Sequence, residues 1–280
     1  IEAMPHNTLA IQTGEHWTYF WHQEKDLPGD VFVSPNQEHW FWPGPGTMYQ
    51  KKLYLILPEF ALDLERSDVF FFKQTGLYLA VVNNPEQAPE LWQISYHQLN
   101  WGLEQESFSA AGLLDKDYFY IFGYSDQKKP LRQAKVLRIA LSDLAGGRFD
   151  AEEYWHQTGW NTDDRMTESI FDGFQSEASA HWFPELNAFG LVYTAPDFSG
   201  QILLRTAAKI QGPWSDSKVL YSIPEMEKRI FCYAGKHHPH LVRSKNELVL
   251  SYACNAYQPS MLEKDASIYQ PRFVRVPLKP

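Results

Sequence analysis

The chain has 280 residues, enough for a sizeable core, and 25 Lys and Arg against 34 Asp and Glu leave a net charge of −9. With no Lys/Arg cluster, that balance withholds the attraction that supplies nucleic-acid affinity, so no nucleic-acid partner is expected. A composition 44% hydrophobic and 15% aromatic excludes a disordered chain.

Taken in chain order, Thr8–Gln12 and His16–Trp21 read as a hairpin across Thr13-Gly14-Glu15. From there one pattern recurs, a polar turn followed by an apolar strand: Leu53–Leu57, Tyr118–Phe122, Phe189–Tyr193 and Glu247–Tyr252. Their starts follow a period of roughly sixty residues. Each is preceded by a small or aromatic segment: Trp40–Gly44, Ser107–Gly112, Ser176–His181 and Lys236–Leu241. Three are followed by a strand carrying one arginine: Val136–Ile139, Leu203–Thr206 and Phe273–Val276. The apolar runs, including Leu53–Leu57 and 69–72, are strand-length and far below the ~20 residues of a membrane span.

Repetition of an inner, a middle and an outer strand predicts an all-β, five-bladed β-propeller in one domain over residues 1–280. The units fall near 28–104, 105–170, 171–228 and 229–280, after a partial blade at 1–27. Two unrelated β domains are the alternative, although no Pro/Gly/Ser-rich linker divides the chain. A start at Ile1 with no leader reads as a processed product, and a monomer outside the cytoplasm, secreted or periplasmic, is expected.

Residues that open inner strands are the first candidates for chemistry. In Asn36–Gly46, Trp40 and Trp42 beside Glu38 suit a sugar, whose C–H faces pack on rings while its hydroxyls need acceptors; inter-blade packing is the other reading. Asp30 lies just upstream as a loop carboxylate. Glu177 opens a small-residue strand, where an apolar wall would raise its pKa as a general acid requires; a structural glutamate is the alternative. His237 and His238 are neighbours, so on a strand they face opposite sides. A single imidazole, His238, then serves as hydrogen-bond donor or as ligand to a water-rich cation, or is structural. Arg272 after Pro271 can fix a ligand oxygen or tie an ion pair. Cys232 and Cys254 fall on adjoining strands, where a disulfide depends on register. Serine-hydrolase elbows, phosphate-binding loops, His-Glu-x-x-His and dinucleotide fingerprints are absent.

Ser176-Glu177-Ala178-Ser179, Gly212-Pro213-Trp214-Ser215, His238-Pro239 and Tyr269–Val276 resemble segments of secreted five-bladed propellers related to arabinan-degrading glycoside hydrolases, from about Asn7 to Pro277. The resemblance implies a carboxylate-based site in a central funnel, with Glu177 in the acid's position and a calcium-type ion near His238. It also implies a first-blade acid, for which Glu2 is a poor match, and Pro45 stands where an acidic residue belongs.

The resulting expectation is a propeller acting on a poly- or oligosaccharide of arabinan type. Glu177 would be the acid, Asp30 or Glu38 the base or nucleophile, and Trp40, Trp42 and Trp160 the sugar platforms. His238, Asn255, Tyr269 and Arg272 would orient hydroxyls or an ion. A lectin-like module or a protein scaffold is the alternative, because propellers host unrelated functions.

Overall fold

A computed structural model describes residues 5–24, 27–65, 71–127, 131–197, 199–227 and 229–278. Glu2 and residues 69–70 of the second apolar run lie outside the described residues. The chain divides into two compact units, residues 1–100 and 101–280.

The first unit opens with the expected hairpin, β1 (Leu9–Thr13) on β2 (His16–Phe20), turning at Gly14 with φ +63°. A second hairpin pairs β3 (His22–Glu24) with β4 (Leu27–Gly29). The sheet that follows is built on β7. β5 (His39–Phe41) and β6 (Gly46–Tyr49) pair along one edge of β7 (Lys52–Leu62), and β8 (Phe72–Val82) and β9 (Ile94–Gln98) continue from the other. The β6–β7 turn is two residues, Gln50 and Lys51, both with positive φ, the geometry that matches the twist of paired strands. Val31, Phe32, Phe41, Leu57 and Ala80 form one core cluster of this unit.

The second unit contains three sheets. In the first, β10 (Glu106–Asp115), β11 (Tyr118–Ser125), β12 (Gln133–Ala140), β13 (Glu153–His156) and β14 (Gly159–Asn161) pair in sequence order, and β15 (Phe171–Asp172) also pairs with β12. The second runs β16 (Ala178–Phe183), β17 (Ala188–Thr194), β18 (Gln201–Ala207), β19 (Lys218–Ser222). The third runs β20 (Ile230–His237), β21 (Glu247–Ala256), β22 (Arg272–Pro277).

Strand alternation explains how these sheets stack. Leu191 and Tyr193 of β17 join Ala110, Phe122 and Val136 in one core, while Val192, between them, joins Cys232, Leu250 and Cys254 in the next. Ala110, Ala111, Ala178 and Ala180 keep β10 and β16 slender, so the first strands of adjoining sheets approach closely. The fold is thus an all-β β-propeller, with four sheets of the blade kind and two hairpins among the described residues. The four repeated apolar strands of the sequence are β7, β11, β17 and β21, each between a preceding and a following strand.

Candidate active site

One face of the β20–β21 hairpin carries most of the site. Tyr233 pairs with Ala253 and Lys236 with Ser251, so three residues of β20 span two of β21 and a bulge lies between. Ala253 and Ser251 share a face, which puts Tyr233 and Lys236 on that face too, although an unbulged strand would separate them. Asn255, opposite Phe231, continues the same row. The bulge is built from Ala234, held at φ +56°, and Gly235, whose N–H donates to Thr194 Oγ1 at 2.8 Å. On the other face Cys232 and Cys254 are directly opposed and joined by a disulfide, buried in the core. The staple therefore stands immediately behind the polar row.

Glu177 enters from the neighbouring sheet, one residue before β16. Ala178 and Ala180 turn into the core, while Ser179 and His181 turn towards β20. There Ser179 Oγ accepts from the N–H of His237 at 2.8 Å, and the His181 ring meets the His237 carbonyl at 3.0 Å. These contacts fix β16 against β20 and bring Glu177 into the field of Lys236 and Tyr233. Loss of hydration pushes the Glu177 carboxyl above the ordinary carboxylate value, with Lys236 pulling the other way. Burial likewise raises the Tyr233 phenol, which has Tyr269 and Asn255 as hydrogen-bonding neighbours.

A third side comes from β11 and the segment leading to β12. Tyr124 lies in the field of Glu177 and Asp126, has Ser107 as a hydrogen-bonding neighbour, and is raised mainly by burial. The Arg132 guanidinium stacks over its ring at 4.4 Å. Arg132 also donates to Asp126 at 2.8 Å and to Gln175 Oε1 at 3.3 Å, two residues before Glu177. Asp126 is accordingly a second carboxylate in the same unit as Glu177.

The histidines below this row are neutral. Burial, with His181 and the other ring neighbours, takes His237 down to about 3, and burial with His240 and Lys236 takes His238 to about 4. His238 Nε2 is 2.7 Å from Ser251 Oγ. The charged or titratable groups that act on it include His240, Lys236 and His181. Among the described residues no three His, Cys, Asp or Glu side chains are placed to hold a metal ion.

Of the other sequence candidates, Asn255 and Tyr269 lie with Glu177 around Tyr233. Arg272 is committed elsewhere: its guanidinium donates to the carbonyls of Ser267, Ile268 and Gln270 and pairs with Glu225 at 3.0 Å, holding the loop that carries Tyr269. Trp160 is on β14, where it packs on Trp155 and Tyr120 beneath the Arg138 guanidinium at 4.4 Å.

In the first unit, Asp30 accepts from the N–H groups of His6 and Asn7 at 2.6 and 3.3 Å and anchors the segment before β1. Glu38 lies in an exposed turn closed by its own N–H on Asn36 Oδ1. Trp40 is only 8% exposed, and its ring stacks on that of His6 at 4.5 Å, the packing reading of this residue. Trp42 is half-buried against Phe60 and Phe72. Sequence reading passed over Glu59, a buried carboxyl that accepts from Ser34 Oγ at 2.5 Å and Thr75 Oγ1 at 3.1 Å beside His39 at 3.0 Å. It also passed over Tyr124, Tyr233, Lys236 and Arg132. A Gly following a small residue inside the Cys232–His238 run was the one sign of a bulge.

The family model described as "Domain of unknown function (DUF5005)" matches residues 1–277, and the chain belongs to that family. Among solved structures, a presumed hydrolase from Bacteroides ovatus has a TM-score of 0.70 at 19% identity, over 89% of this chain and 67% of that one, which shows a shared fold. A protein of unknown function from Dyadobacter fermentans gives 0.48 at 11% identity, over 94% and 80%. A family 43 β-xylosidase/α-arabinofuranosidase from a compost metagenome gives 0.37 at 9%, over 88% and 92%. No curated protein matches the chain.

Proposed function

We propose that this member of the DUF5005 family is a glycoside hydrolase-like propeller acting on a poly- or oligosaccharide, with Glu177 as its general acid. The observation that carries the reading is the convergence on Glu177 of side chains from two other sheets, Tyr124 from β11 and Tyr233 and Lys236 from β20, with Asn255 of β21 beside Tyr233. A carboxyl raised by burial holds its proton to higher pH than an exposed one, the direction a general acid needs to protonate a glycosidic oxygen as the bond breaks. Phenols and an amide beside it are the donors and acceptors that sugar hydroxyls need.

The second carboxylate in this reading is Asp126, in the same unit as Glu177; the sequence candidates Asp30 and Glu38 belong to the first unit. A separation of ~5–5.5 Å from Glu177 would make it a nucleophile with retention, and ~6.5–9.5 Å a base with inversion. We favour an arabinan-type glycan, on the resemblance of Ser176–Ser179 and Tyr269–Val276 to arabinan-degrading propellers. A fifth blade involving the β1–β2 hairpin, a monomeric state and a location outside the cytoplasm belong to the same proposal.

A carbohydrate-binding propeller without turnover, or a protein scaffold, is the second reading. It is favoured by Asp126 being already paired with Arg132. Product release from arabinans and related polysaccharides, compared between wild type and Glu177→Gln, tests the first reading. Glycan binding without turnover in either protein would favour the second.

A further inference from the structure

Lys236 is half-buried on the site face, and among the described residues its ammonium has no hydrogen bond and no ion pair. The other cation there, Arg132, is satisfied by Asp126 and Gln175. Glu177 has no hydrogen-bonding partner among the described residues either, and the ammonium is near enough to act on its carboxyl without pairing with it. The main chain is shaped to produce this. Without the extra residue at Ala234–Gly235, Lys236 would turn into the core side and Tyr233 would remain alone. Ala234 holds a left-handed φ of +56° that costs a residue with a Cβ, and Gly235 leaves no room for one, because it would lie 2.8 Å from Thr194 Oγ1.

A lysine aimed in this way opposes the chemistry assigned to Glu177, because a nearby cation favours the ionised carboxyl. A sugar hydroxyl would hydrogen-bond the ammonium and leave that opposition intact. An anion on the ligand would both satisfy the ammonium and relieve Glu177. We propose that Lys236 is the anion contact of the site and binds a carboxylate carried by the sugar seated against Glu177, so that the glycan recognised is uronate-bearing. This rests on the glycan reading above, and an arabinan-type polymer meets it where the bound stretch carries a uronate substituent. Lys236 then acts in selection: a neutral glycan leaves the ammonium without a counter-charge in a partly dehydrated cleft.

The test is calorimetric binding in the Glu177→Gln background, where the sugar is not consumed, using uronate-bearing arabino-oligosaccharides and their carboxyl-reduced counterparts. The uronate forms are expected to bind at least about tenfold more tightly, the size of one charge-assisted hydrogen bond. Added salt should reduce that preference. Lys236→Met should abolish the preference, and Lys236→Arg, which keeps the charge and guards against misfolding as the cause, should retain it. Equal binding of the two forms, binding of neither, or a preference that survives Lys236→Met overturns the proposal. Turnover of a neutral arabinan that depends on Glu177 but not on Lys236 would overturn it while leaving the hydrolase reading standing.

Discussion

Tyr233 and Lys236 are three residues apart in sequence yet face the same side of their sheet, because the Ala234–Gly235 bulge adds one residue to β20. Glycine at 235 is required by the close approach of Thr194. Gly235→Ala should therefore cost about 1–3 kcal/mol, the usual price of forcing atoms into a packed site. Ala234→Gly should be neutral or slightly stabilising, since relief of the left-handed φ, about 1 kcal/mol, is offset by a freer unfolded chain. Urea unfolding of the two variants checks both signs.

Cys232 and Cys254 close a loop whose ends are 22 residues apart. Chain-entropy reasoning gives about 3 kcal/mol for a bridge of that span. Cys232→Ala/Cys254→Ala, or wild type with reductant, should lose stability of that order in denaturant titration. The native protein should also show no thiol titre before reduction, and a titre of two after unfolding in reductant.

His237 and His238 are held neutral by burial, with values of about 3 and about 4. Their unfolded counterparts titrate near ~6.5, so between about pH 6.5 and 4 the unfolded chain binds more protons than the folded one. Their contribution to stability is thus full above ~6.5 and is lost as the pH falls. Thermal midpoints should decline over that window. His237→Phe, which keeps the ring stacked on Phe183 and removes the titrating group, should flatten part of the decline.

Much of the fold is legible in the sequence because strand runs and turns are local signals. β7, β11, β17 and β21 announce themselves by apolar runs after Lys51-Lys52, Asp115–Asp117, Glu185–Asn187 and Lys245-Asn246. The position of Glu177 just before β16 is legible for a similar reason, since the small residues after it mark a strand that must pass close to its neighbours. The rest of the site depends on register. Alternation alone places Lys236 opposite to Tyr233, and only the bulge reverses that. Arg272 looks like a ligand-binding guanidinium after a proline, but the carbonyls that engage it come from a loop whose path the sequence does not specify.

Lys135 and Glu106 form an ion pair with almost no exposure, and Leu103 N–H also donates to Glu106. Removing one partner leaves the other charge buried and unpaired, which typically costs about 3–5 kcal/mol. Lys135→Met should be destabilised by that amount, and Glu106→Gln/Lys135→Met should regain most of it. A double-mutant cycle read by denaturant unfolding gives the coupling.

The most direct test of the central claim is sugar release from a panel of arabinans and related polysaccharides, by wild type and by Glu177→Gln, which keeps the shape and removes the proton donor. Turnover by wild type that falls about 10²–10⁴-fold in the variant, the range for a general acid, is the predicted result. Equal turnover by both proteins would contradict Glu177 as the acid of a glycan-cleaving site.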